Sequence, residues 1–149
     1  MPEADGITIE AFRPDDAEAV RELHNLCFTP FGGAEVSAAE WHAHLEEASF
    51  RPGWSFVARD GDRIVGYEMS VLEDGTSIGW TERFGVHPDH RGRGISLALL
   101  GNCLAAMRDS GCTEAGIGID TPDGLALSRL SSVLGYRQRD AVALLSRVV

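Results

Sequence analysis

Apolar and polar positions change their period several times along this chain, and each change predicts an element. Ile7–Pro14, "ITIEAFRP", alternates as a half-buried strand does, and Pro14 ends it. From Asp15 to Phe28 the spacing turns helical. Ala17, Val20, Leu23, Leu26 and Cys27 fall on one stripe, and acidic residues in the first turn complement the helix dipole. A loop containing "PFGG" follows, and then "SAAEWHAHLEEASF", in which Ser37 and Glu40 have the spacing of a helix-initiating capping box. "WSFVARDG" and "DRIVGYEMSVLED" read as two strands joined at an Asp-Gly turn, and "EDGTS" turns the chain into a third, "IGWTERFGV". Farther on, "SLALLGNCLAAMRDSG" reads as a helix closed by Gly111 and "EAGIGID" as a buried strand. "GLALSRLSSVLGY" reads as a helix ending at Gly135, and "AVALLSRVV" as a last strand.

The order is strand, helix, helix, three-strand meander, helix, strand, helix, strand. Such a chain buries its apolar faces best as an α/β (α+β) fold, a mixed central sheet with helices on both faces. A length of 149 residues suits one domain over residues 1–149, and neither an internal repeat nor a linker divides it. No apolar run approaches the roughly 20 residues that span a bilayer. The opening "MPEADGITIE" lacks the basic-then-apolar layout of a secretion signal, so the cytoplasm is the expected compartment.

A net charge of −10 argues against nucleic acid as a partner and is compatible with a cationic small-molecule substrate. All 13 basic residues are arginine. Cys27, Cys103 and Cys112 are odd in number and lack paired spacing; they are expected to be buried, small and apolar, with neither disulfides nor a metal site.

The densest chemistry is "GVHPDHRGRGIS", residues 85–96, where a strand hands over to a helix. The first N–H groups of a helix have no intrahelical acceptor and sit at the positive end of its dipole, so an anion fits there. Gly92 and Gly94 allow backbone conformations closed to other residues and keep side chains out of a phosphate's way, while Arg91 and Arg93 supply countercharge. Two other phosphate signatures fail. A dinucleotide fingerprint beginning at Gly92 would need glycine where Leu97 stands, and a nucleotide-triphosphate loop needs a lysine this chain lacks.

"VHPDHRGRGIS" resembles the acetyl-CoA-binding motif of the GNAT superfamily, the Gcn5-related N-acetyltransferases. Its Q/R-x-x-G-x-G/A core falls on Arg91, Gly94 and Ser96, with serine in the place of a glycine or alanine. "IDTPDGLALSRLSSVLGYR" is similar to the family's later loop and helix, and the element order agrees from Ile7 to about Arg137. The flavour is that of bacterial, mycothiol-synthase-like members. The resemblance implies a GNAT fold whose strands splay at a cofactor cleft. It also implies direct attack of a primary amine, of a small molecule or a peptide, on the thioester of acetyl-CoA, without a metal.

The same resemblance distributes the roles. The diphosphate would be held by Arg91, Gly92, Arg93, Gly94, Ile95, Ser96 and Leu97, with Asp123 where the family carries a loop asparagine. A strand bulge over Phe84, Gly85 and Val86 would free an amide to polarise the carbonyl; Gly85 suits a bulge or a close approach. Glu82, between Trp80 and Phe84 on one face if alternation continues, is the first choice of base. Glu68 is the reserve, and His87 or His90 come after it, both reading as loop residues at the cofactor mouth. Ser131 occupies the position of the family's tyrosine acid and is a shorter donor; water, another side chain or slow turnover are the alternatives. The acceptor side would be built by Phe28, Phe31 and Trp41 with neighbouring carboxylates, and Trp54 near them in sequence, a combination that suits an organic cation or a plain core. One strand after Gly135, where the family has two, implies an edge completed by a second copy or an open cleft. A GNAT-fold sensor or partner module that binds acyl-CoA with little catalysis is the alternative function, favoured by Ser131 and Asp123; longer acyl donors also remain open.

Overall fold

The computed structural model describes residues 6–29, 34–118, 137–138 and 144–148. A seven-stranded sheet has the order β1-β2-β3-β4-β5-β7-β6, with β1 Ile7–Ala11, β2 Phe56–Asp60, β3 Arg63–Leu72, β4 Ile78–Val86, β5 Glu114–Gly118, β6 Arg137–Gln138 and β7 Leu144–Val148. Only β4 and β5 pair in parallel; the other neighbours are antiparallel. Three α-helices are described: α1 Ala17–Phe28, α2 Ala38–Leu45 and α3 Ile95–Asp109.

The sheet separates two bodies of core. On one face, Val20, Leu23 and Cys27 of α1 and Trp41 of α2 pack against Val57, Tyr67 and Met69. On the other, Leu100, Cys103, Leu104 and Met107 of α3 pack with Ala115 and Ile117, while Ile95 and Leu99 cover Ala58, Val65 and Val86. The mixed sheet with helices on both faces is thus the observed architecture. All three cysteines are buried, as expected.

Local signals translate closely. The meander's third strand runs over 78–86 as its pattern predicts. Ser37 caps α2, its Oγ accepting from Glu40 N at 3.2 Å. A short 3-10 turn, Pro14–Asp16, precedes α1 because proline and two acidic residues suit a helix start. Two expectations change. Leu26 is 46% exposed, and the helix's inner stripe instead takes in Asn25, whose side chain clasps Val36 through both its oxygen and its nitrogen. The single closing strand becomes two, because Arg137–Gln138 pairs with Ser146 and Leu145 at the sheet edge. The helix expected over 124–136, with Asp123 and Ser131, lies outside the described residues, as does Phe31.

Candidate active site

The turn that enters α3 is built from main chain. Gly92 and Gly94 have φ of 80° and 77°, the left-handed region that only glycine adopts without strain. Gly94 is the N-cap and offers no side chain, and the first intrahelical bond runs from Ala98 N to Gly94 O at 3.1 Å. The N–H groups of Ile95, Ser96 and Leu97 therefore have no intrahelical acceptor. Nothing lies within 4 Å of where a Cβ would stand on Gly92 or Gly94. Arg91 and Arg93 flank this cradle. Both are exposed, and Arg91 donates from Nε to Val86 O at 3.2 Å. Ile95 points inward and is buried, so only its main chain faces the turn, while Ser96 and Leu97 are half-buried.

β4, the strand that leads into this turn, changes character along its length. Its register against β3 slips: Met69 pairs with Arg83, but Ser70 pairs with Thr81, so Glu82 is an extra residue. Among the described residues, pairing with β5 runs as far as Thr81, opposite Ile117, and Glu82 is the one residue of β4 in neither described ladder. The bulge expected over Phe84–Val86 thus lies earlier, and Gly85 sits in ordinary register with Tyr67. Glycine at 85 answers a close approach instead, since a Cβ there would meet Tyr67 Cε1 at 3.0 Å and Cys27 Sγ at 3.3 Å.

The bulge also reverses which face the later residues see. Thr81 reaches toward Cys103 of α3, and Phe84 joins the same α3 cluster, although three positions separate them. Trp80, Glu82 and Phe84 therefore do not share a face. Phe84 does not shield Glu82, which is exposed. Trp80 donates from Nε1 to Glu73 at 3.1 Å.

Glu68, the reserve base, is fully buried between β3 and α3. Ser70 Oγ donates to its Oε1, and Cys103 Sγ lies 3.1 Å from Ser70 Oγ. Glu68 Oε2 has no partner among the described residues. Burial pushes this carboxyl up to about 8, against the opposing pull of the Ser70 hydrogen bond. It is a protonated core group at neutral pH. His87 and His90 are likewise committed. His87 Nδ1 accepts from Asp89 N at 3.1 Å and its Nε2 is bonded to Arg63 at 2.9 Å; His90 Nε2 lies 3.2 Å from Asp60 Oδ2. Both tie the loop to strand ends rather than standing free at its mouth.

On the α1–α2 face a second polar group forms, which pattern reading missed. Tyr67 OH and His24 Nδ1 are 2.5 Å apart, and the His24 ring lies 5.2 Å from that of Trp41 and 4.8 Å from that of Phe28. Arg83, the residue after the bulge, places its guanidinium 5.3 Å from the Trp41 ring centre and donates to His44 Nε2 at 3.0 Å. Burial first, and then the Arg83 charge, hold His24 down at about 4. Its place on α1, four residues after Val20 and three before Cys27, was the available signal. Trp41 is 1% exposed and belongs to the core, as does Trp54, whose Nε1 donates to Ser110 at 2.9 Å; Phe28 is exposed at the end of α1.

A mixed sheet, with an uncapped, glycine-entered helix following β4, makes up the α/β fold that carries this site. The model of the acetyltransferase (GNAT) family matches residues 17–130. An acetyltransferase of Pectobacterium atrosepticum is 31% identical over 95% of this chain and 95% of its own. A mycothiol acetyltransferase of Propionibacterium freudenreichii is 31% identical over 74% of this chain, a match that spans 36% of that longer protein. Among solved structures, a GCN5-related N-acetyltransferase from Sphaerobacter thermophilus superposes with a TM-score of 0.79 at 25% identity, over 97% of this chain and 45% of that one. A GNAT family acetyltransferase from Brucella melitensis, solved with acetyl-CoA, gives 0.73 at 20% identity, over 95% of this chain and 87% of that one. The chain belongs to the GNAT acetyltransferase family, and it is an acetyltransferase.

Proposed function

We propose that this single domain transfers the acetyl group of acetyl-CoA to a primary amine of a small molecule or peptide by direct attack. The observation that carries the reading is Glu82, bulged out of its ladder with β3 on the strand that leads into the uncapped start of α3. The acetyl-CoA complex of the Brucella melitensis relative supports the choice of donor.

In this reading the main-chain amides from Arg91 to Leu97 receive the diphosphate, with Arg91 and Arg93 adding charge. The cradle fits an anion, because its N-cap has no side chain to satisfy the amides. The strand from Glu82 to Val86 flanks the thioester, and a main-chain donor at the Glu82 bulge polarises the carbonyl, contributing on the order of 3 kcal/mol. Glu82, exposed and adjacent, takes the ammonium proton through water. The departing thiolate is a tolerable leaving group; Ser131 remains its assigned proton donor and Asp123 a cofactor neighbour on sequence grounds alone.

The test is titration of the protein with CoA, followed by thiol release from acetyl-CoA across a panel of primary amines. Binding with amine-dependent release is the expected result. Absence of CoA binding would sink the reading. Binding without release from any amine would favour the acyl-CoA sensor instead.

A further inference from the structure

The residue beside Glu82 carries information about the acceptor. Because of the bulge, Glu82 and Arg83 together stand opposite one residue, Met69, whose side chain belongs to the α1–α2 cluster. Arg83 is half-buried, yet none of the ion pairs among the described residues includes it. Its neighbours include the Trp41 ring and a nitrogen of His44.

Hydrogen-bond bookkeeping around Arg83 comes out short of acceptors. The buried Tyr67 hydroxyl must place its proton on something, and His24 Nδ1 is the acceptor at 2.5 Å. That fixes the neutral His24 tautomer with hydrogen on Nε2, which makes no hydrogen bond to another described residue. Arg83 can only donate, so His44 accepts on Nε2 and carries its own hydrogen on Nδ1, which makes no hydrogen bond among the described residues although Glu47 Oε1 lies 3.1 Å away. Trp41 Nε1, another donor, is buried without an acceptor among the described residues. Glu47 lies against the other ring nitrogen of His44, and Glu82 is exposed.

We infer that the acceptor amine also bears a carboxylate, which Arg83 binds with help from the His24 Nε2–H while the amine lies at Glu82. A free amino acid or a short peptide ending in a carboxylate has this chemistry; a polycation lacks it. The overall acidity suggested a cation, but the charge lining the acceptor face beside the bulge is an arginine. This inference rests on the acetyltransferase reading and specifies its substrate class.

The experiment compares free L-amino acids and dipeptides with their C-terminal carboxamides in the thiol-release assay. At least about a tenfold preference in kcat/KM for the free acids is expected, expressed in KM, the low end of what a charge-assisted hydrogen bond contributes. In Arg83→Gln the preference should fall to about twofold or less, and Arg83→Lys should keep part of it. Equal use of acid and amide by the wild type would overturn the inference without any variant, and so would a preference that survives Arg83→Gln. If no amine supports release, the CoA-saturated wild type and Arg83→Gln are titrated with the same pairs. Carboxylate binding that depends on Arg83 would then uphold the inference while the catalytic reading fails, and no selective binding would overturn the inference as well.

Discussion

Ile95 of α3 sets its Cγ2 3.0 Å from where a Cβ on Gly66 of β3 would stand. The first turn of the helix rests on bare strand backbone, and this contact fixes where the uncapped amides point. Leu99 Cδ1 and the Ala58 Cβ crowd the same point at 3.2 and 3.3 Å. Gly66→Ala is expected to cost about 1–3 kcal/mol by overpacking, read as a lower denaturant midpoint. It should also weaken CoA binding, because the turn must ride outward. Wild-type affinity in a destabilised Gly66→Ala protein would separate the turn from the site.

Gly94 provides a test confined to the cradle. Its φ of 77° is strained for any other residue, while the space beyond its Cβ position is open. Gly94→Trp is expected to abolish CoA binding in calorimetry and to leave the circular dichroism of the folded sheet in place. Unchanged affinity would move the diphosphate elsewhere.

Glu82→Gln removes the assigned base without touching the core, since the side chain is exposed. A fall in kcat of about 10²–10⁴-fold is expected, with CoA affinity kept, measured under saturating acetyl-CoA. A rate within twofold of wild type would transfer the role to another group.

Two buried titrations shape stability. Glu68 is raised from 4.5 to about 8, so between those values the folded state holds a proton the unfolded chain has released, and stability falls as pH rises. His24 is lowered from 6.5 to about 4, so in that interval the unfolded chain binds the extra proton, and stability rises with pH. The two oppose each other from about pH 4.5 to 6.5, leaving stability nearly level. From pH 6.5 to about 8 Glu68 acts alone, a loss of about 2 kcal/mol at about 1.4 kcal/mol per unit. Denaturant midpoints across pH should show this plateau and fall. In Glu68→Gln the fall should vanish, and a fall that persists would assign it to other groups.

What the sequence determined by itself was local. The strand over 78–86, the Ser37 cap and the left-handed glycines 92 and 94 each depend on side-chain period or backbone freedom within a few residues, and these are written in the chain. The glycine-arginine turn was legible for the same reason. Register is a different kind of property, since it belongs to two strands at once. The bulge therefore lies at Glu82 rather than near Gly85, and Phe84 turns to α3 in consequence. Burial is likewise decided by what packs from elsewhere. Glu68 is enclosed by α3, Leu26 is left to solvent, and His24, Tyr67 and Arg83 meet although 43 residues separate the first two and 16 the last two. Tertiary structure alone set that arginine against the α1–α2 side of the sheet, because only packing between α1, α2 and the sheet could place Trp41 and His44 beneath it.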